Sequence, residues 1–187
     1  MANLIKSKGD YANNDVVDNI LRYILREREN ETKRHELLGY GVKGITYLSG
    51  IEDIIHQFES IQKLYDIDNR RGRRVIHEYF GITGLEEELL KGKFDLLYSI
   101  CHECANVYFM QGHQVVFAIH KNKEEGLHVH FVVNTINYRT GKKWHEQLIE
   151  QKKREYLFNC IFYTAVALHG DVPAIRYVKS KQYMQII

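Results

Sequence analysis

At 187 residues, with 44% hydrophobic and 27% charged side chains, the chain is long enough to bury a core of its own, and its composition excludes a disordered or collagen-like protein. Three cysteines exclude a disulfide framework, no apolar run approaches a membrane span, and no apolar signal segment opens the chain, so a cytoplasmic protein without membrane insertion is expected. A net charge of +2 neither requires nor excludes a polyanionic partner, which leaves local clusters to decide.

Asn3 to Ser7 reads as a short strand, followed by a polar connection. Asp15 then caps a helix whose apolar positions Val17, Ile20, Leu21, Ile24 and Leu25 recur at helical spacing, with Tyr23 among them. The charged tail Arg26 to Arg34 continues or frays that helix, and Arg22, Arg26 and Arg28 form one basic cluster. Gly39 to Gly50 is glycine-rich with a short strand expected at Ile45–Leu48, and Ile51 to Tyr65 reads as a helix. Arg70, Arg71, Arg73 and Arg74 form a second basic cluster, with a solvated face as its plain reading and phosphate contacts as its functional one. Val75 to Ile82 is β-branched and aromatic, a strand between glycines. Phe94 to Gln111 is a long helix that ends at Gly112 and leads into a strand at Gln114–His120.

From there the chain is most informative. Lys121 to Gly126 is short, polar and Gly-ended, as a hairpin connection should be, and the next strand carries His128 and His130. Alternate strand residues share a face, so these two imidazoles lie together while Leu127, Val129, Phe131 and Val133 pack on the other side. The hairpin brings His120 up to the pair. Three neutral imidazoles on rigid strands leave a divalent ion with open positions, the arrangement of a catalytic rather than a purely structural site. The competing reading is a chance pair among ten histidines on a solvated face. Beyond the hairpin, Asn137 to Gly141 is a turn, Lys142 to Trp144 resumes a strand, Glu146 to His169 is a strong helix, and Ala174 to Ile187 is mixed. Interleaved strands and helices around an antiparallel hairpin place the fold in the α+β class, one central antiparallel sheet flanked by helices.

An ion at such a site is suited to draining charge from a phosphate oxygen, and a phenolate is able to attack the phosphorus and hold it covalently. With thirteen tyrosines, composition does not choose one. Cys101 and Cys104 have the gap of a zinc half-site but no second pair, and read as buried small hydrophobes. Trp144 and His145 suit either base stacking or the core.

Ala118-Ile-His120, seven residues, His128-Val-His130 and then Val132-Val-Asn134 resemble the third motif of conjugative DNA relaxases of the MobA/VirD type, in the His-hydrophobic-His endonuclease superfamily. Thr135 to Lys143 is similar to the segment after that motif, and Ile5-Lys6, Gly9 and Leu21-Arg-Tyr23-Ile24 resemble the first motif. The resemblance spans about residues 3 to 145 and implies a relaxase-like fold, with residues 1–187 a nicking domain of a family whose members commonly continue into further regions. It implies Tyr23 as nucleophile, with Tyr11 in reserve, and His120, His128 and His130 as ligands of a divalent ion, Mg2+ or Mn2+. It further implies transesterification of single-stranded origin-of-transfer DNA through a 5′-phosphotyrosyl intermediate, to start transfer of a plasmid or integrative conjugative element. Accessory relaxosome proteins and a coupling protein are the expected partners, and Arg70, Arg71, Arg73 and Arg74 the expected DNA contacts.

Two departures from the family pattern stand out. His77-Glu78-Tyr79-Phe80 occupies a segment that often carries a DNA-holding serine, and Asn122 stands where an Asp often follows the first histidine. The acid that would orient an imidazole is therefore sought elsewhere, first at Glu78 and then at Glu103 or Glu87. A rolling-circle replication initiator of the same superfamily would place its tyrosine after the histidines, at Tyr156 or Tyr163. A non-catalytic DNA-binding module would keep the fold without turnover.

Overall fold

The computed structural model describes residues 2–9, 11–27, 31–46, 50–69 and 71–169. Strand β1 (Asn3–Lys6) leads to helix α1 (Val16–Ile24) and the short α2 (Glu31–Arg34); β2 (Leu37–Lys43) and α3 (Ile51–Leu64) follow. Then come β3 (Val75–Gly81), α4 (Gly84–Leu89), α5 (Phe94–Met110), the hairpin β4 (His113–Asn122) and β5 (Gly126–Asn137), and finally α6 (Leu148–His169). All strand pairings are antiparallel, in the order β1-β3-β5-β4-β2, so the expected α+β sheet flanked by helices is what the chain forms.

Alternation divides the sheet into two faces. On one, Val75, Val116, Ala118 and Val132 pack under α1 and α3 through Val17, Leu21, Ile24, Ile54 and Phe58. On the other, Phe80, Phe117, Val129, Phe131 and Val133 pack under α5 and α6 through Ile100, Ala105, Tyr108, Phe158 and Phe162. Each large aliphatic or aromatic side chain so buried contributes about 1.5–3 kcal/mol, which makes the sandwich of two helical layers the main source of stability. Near one end of the sheet the Asn134 side chain ties α3 to the sheet. Its amide donates to the Phe58 carbonyl and to Gln114, and its oxygen accepts from Gln62.

The structure differs from the sequence expectation at several places. The strand expected at Ile45–Leu48 lies earlier, at Leu37–Lys43; Ile45 and Thr46 belong to no strand, and residues 47–49 lie outside the described residues. Glycines in β2 read as loop, yet a Cβ at Gly41 would stand 2.5 Å from the Phe117 ring and one at Gly39 2.9 Å from the Phe94 ring. Only glycine lets those rings lie against this edge strand. Helix α1 stops at Ile24 and Arg26 adopts a left-handed φ of 57°, so the charged tail does not continue it. Lys142–Trp144 does not resume a strand; Lys143 makes an isolated bridge to Ile136. Ala174–Ile187 lies outside the described residues.

Beneath the α5/α6 layer runs a buried ionic network. The Arg154 guanidinium from α6 donates to Glu78 on β3, at 3.0 Å from Nε, and to Glu146; the Tyr108 hydroxyl also donates to Glu78, and Lys6 pairs with Glu146 at 3.2 Å. Glu78 is wholly buried and Arg154 nearly so. Removing one partner strands a charge in a low-dielectric interior, so Arg154→Leu is expected to lower unfolding free energy by about 3–5 kcal/mol, read by urea denaturation. Loss of under 1 kcal/mol would show that Glu78 does not depend on this pair.

Candidate metal centre and active site

The hairpin register sets His120 opposite His128 and Ala118 opposite His130. The three imidazoles meet on the α1 side of the sheet, with ring centroids 4.7–5.4 Å apart and one nitrogen of each within 4.8 Å of the others. All three are buried, two of them completely. The last turn of α1 covers them.

Backbone acceptors fix two of the tautomers, because a carbonyl oxygen only accepts. His120 donates from Nε2 to the Ile24 carbonyl at 2.6 Å, which leaves its Nδ1 lone pair to accept from the Arg26 guanidinium at 3.3 Å, a hydrogen bond that a cation at this nitrogen would replace. His128 donates from Nδ1 to the Gly126 carbonyl at 3.0 Å, which leaves its Nε2 lone pair. The Nε2 atoms of His128 and His130 are buried and have no hydrogen-bond partner among the described residues. Two orphaned imidazole nitrogens converging beside a third fit a divalent cation, which would satisfy them. A divalent ion would thus be held by His120, His128 and His130.

Burial holds all three in the form a metal needs. It pushes His120 down to about 4, His128 below its usual value and His130 further still; Arg26 adds to the effect on all three, and neighbouring imidazoles add to it on His120 and His130, while Glu125 and Glu36 oppose it at His128. His77, on β3 beside them, is likewise lowered to about 4 by burial. Each is neutral at pH 7 and able to ligate without first losing a proton.

Tyr23 stands at the mouth of the cluster. Its ring lies edge-on to His130, centroids 6.0 Å apart, and is 41% exposed, so it borders both the histidines and solvent. The Arg26 guanidinium sits 5.1 Å over that ring, donates to Glu36 at 2.8 Å, and approaches His120 Nδ1 at 3.3 Å. The left-handed backbone at Arg26 turns this side chain inward, and it is almost fully buried. A cavity of about 590 Å³ opens beside it, lined among others by Tyr23, Arg26, Lys33, His35, Lys121 and Lys123.

Two more aromatic residues reach the cluster. Tyr79, paired with His130 across β3 and β5, stacks on His128 with centroids 4.9 Å apart. Burial, then Glu125 and Tyr23, make its hydroxyl harder to ionise than a free phenol. Tyr11 donates its hydroxyl to Ser7 and lies 2.9 Å from His77 Nδ1. Tyr156 and Tyr163 are remote: α6 packs on the opposite face, and the Tyr163 hydroxyl donates to Glu86.

None of the carboxylates sought from sequence approaches the histidines. Glu78 points to the opposite face into the Arg154 network, Glu87 pairs with Lys121 at 2.7 Å, and Glu103 is exposed on α5. The acid that does approach is Glu125 in the hairpin turn, 3.5 Å from His128 Nε2 and held by Asn122, whose amide donates to it at 3.3 Å. The arginines are not one surface. Arg70 lies outside the described residues, Arg71 is exposed, and Arg73 donates to the Ser7 carbonyl at 3.2 Å. Arg74 is buried and donates to the Ala12 carbonyl, Asn14 and Asp68, so its place in the expected DNA contacts is corrected to an internal tie. Cys101 and Cys104 are buried in α5, where desolvation pushes both thiols up, as small hydrophobes should be.

The family model described as "Relaxase: MobA/VirD2-like, nuclease domain" matches residues 23–161 of the 187. The chain belongs to this family. It is a relaxase nuclease domain, a DNA-nicking enzyme in general terms that binds single-stranded DNA, in a family that typically uses a metal. The match opens on Tyr23 and runs through the histidine hairpin into α6; β1 and most of α1 precede it. No curated protein matches the chain. Among the described residues, no helix of this relaxase is long and apolar enough to cross a membrane.

Histidines held neutral by burial make stability depend on pH. Folded values near 4 for His77 and His120 lie below the unfolded value near 6.5, so between these the unfolded chain binds more protons and acid favours unfolding. The metal-free relaxase domain is expected to keep its full melting temperature above pH 6.5 and to lose stability progressively down to about pH 4. His77→Gln should flatten this slope in a calorimetric series, and an unchanged slope would rule out His77 as a contributor.

Proposed function

We propose that this relaxase nicks single-stranded origin-of-transfer DNA by transesterification, with Tyr23 as nucleophile, to start conjugative transfer or mobilisation of a plasmid or integrative element. The observation that carries the reading is the placement of Tyr23, half-exposed and edge-on to His130, beside the three convergent imidazoles. Tyr79 is also near, but it is stacked on His128 and its hydroxyl is harder to ionise, so it is the poorer nucleophile.

The Tyr23 oxygen attacks phosphorus, a 5′-phosphotyrosyl bond forms, and the bond to the neighbouring 3′-oxygen breaks. The phenolic proton is lost and the departing oxygen takes one up. Because one phosphate ester replaces another, the exchange is reversible and the strand is able to be rejoined. A divalent ion held by the three histidines would withdraw charge from a non-bridging oxygen, worth several kcal/mol in the transition state. Three imidazoles suit Mn2+ better than Mg2+, which prefers oxygen ligands and keeps its waters. Arg26, fixed by Glu36 beside the Tyr23 ring, supplies a preorganised positive charge at the same place. Arg71 and Arg73 supply phosphate contacts that set register without reading bases. Accessory relaxosome proteins and a coupling protein are the partners this role requires.

Incubated with an origin oligonucleotide and Mn2+, the wild-type domain is expected to give a covalent adduct that survives denaturing electrophoresis. Tyr23→Phe should abolish it while Tyr79→Phe retains it; an adduct from Tyr23→Phe would remove the nucleophile assignment. His128→Ala should lower the cleavage rate at least about 100-fold, with Mn2+ no longer stimulating it. Arg71→Ala should weaken binding similarly for all sequences and reduce the salt slope by about 0.7 per lost contact, measured by fluorescence anisotropy.

A further inference from the structure

Among the described residues no carboxylate orients His130, yet His130 is not left to rotate. Its Nδ1 lies 2.9 Å from His77 Nε2, His77 Nδ1 lies 2.9 Å from the Tyr11 hydroxyl, and that hydroxyl lies 2.8 Å from Ser7 Oγ. The chain runs from the centre of the sheet to the loop after β1. A row of single protons between four groups has only two consistent directions. In one, Ser7 donates to Tyr11, Tyr11 to His77 and His77 to His130, which leaves a buried Nε2–H on His130 with no acceptor. In the other, His130 donates from Nδ1 to His77, His77 donates to Tyr11, and Tyr11 donates to Ser7, which leaves a lone pair at His130 Nε2.

The second direction is favoured on two counts. A buried donor without an acceptor is the rarer and costlier defect. The Tyr11 hydroxyl also donates to Ser7 Oγ at 2.8 Å, the direction that this arrangement requires. That direction presents the His130 nitrogen that the metal reading needs.

We infer that His77 is the positioning residue of the metal centre: as a neutral acceptor it locks His130 into the tautomer whose Nε2 lone pair faces His120 and His128, with Tyr11 and Ser7 anchoring His77 in turn. This rests on the metal centre proposed above and adds to it the partner that sequence sought among the acids. The strand pairing sets His77 on the same face as the histidines, opposite Val132 on β5, and its ring is tilted against His130 with centroids 5.0 Å apart. A neutral acceptor fixes the tautomer without drawing the proton toward a negative charge, as a carboxylate would. A bound ion would therefore keep more of its own charge for the phosphate.

The test uses Mn2+ alone and no DNA, with the full 187-residue chain. Calorimetry is expected to show wild-type protein binding Mn2+, His77→Leu binding it about 10–100-fold more weakly, and His77→Gln, whose side-chain oxygen still accepts, within about threefold of wild type. Nitrogen NMR of the histidine rings in the metal-free wild-type protein should show His130 protonated at Nδ1 and bare at Nε2. The NMR measurement needs no variant and stands even where His77→Leu fails to fold. Equal Mn2+ affinity for folded His77→Leu and wild type, or His130 protonated at Nε2 in the wild type, would overturn the role of His77. Absence of Mn2+ binding by wild-type protein would overturn the metal centre itself, and this role of His77 with it.

Discussion

The register of β5 between β3 and β4 is the constraint on which everything else in this relaxase depends. It sets His120 against His128, Ala118 against His130 and Tyr79 against His130, so that side chains distant in sequence share one patch of one face. A strand has a period of two residues, and a slip of one would send the whole set into the opposite layer. Packing forbids that slip. Leu127, Val129, Phe131 and Val133 fill the space under α5 and α6, and histidines driven there would be buried among hydrocarbon without partners.

The two faces accordingly do different things with polar groups. Under α6 the ionic groups are matched: Glu78, Glu146, Arg154 and Lys6 satisfy one another, and the result is a closed structural network. Under α1 most polar groups are matched as well, but two imidazole nitrogens there have no hydrogen-bond partner among the described residues. Unsatisfied nitrogens in a buried site are costly, and a bound cation would relieve them. Helix α1 contributes to both sides of this balance. Its Ile24 carbonyl fixes the His120 tautomer, and the left-handed residue just beyond it folds Arg26 back over Tyr23.

Burial also decides the electrostatics. Removing three imidazoles from water disfavours their protonated forms, and neighbouring imidazoles depress His120 and His130 further, so the cluster stays neutral although Glu125 lies 3.5 Å from His128 Nε2. The same desolvation raises Tyr79 on its stack over His128. Tyr23, half-exposed, lies at the solvent edge of the cluster.

By itself the sequence determined the α+β class, the α1 stripe of Val17, Ile20, Leu21 and Ile24, the long α5, and the hairpin that joins His120 to His128 and His130. These are local periodicities and one short turn, which a linear reading resolves. Alternation within Val75–Gly81 likewise separates His77 and Tyr79 from Glu78, but nothing local says which set faces the histidines. That depended on β3 pairing with β5, and it turned the expected acid into a structural ion and brought an unremarked histidine to His130. The fates of the arginines followed the same rule. Arg26 and Arg74 look like surface charge in a row of residues, and only the tertiary structure, by a left-handed turn at one and by Asn14 and Asp68 around the other, drew them inside.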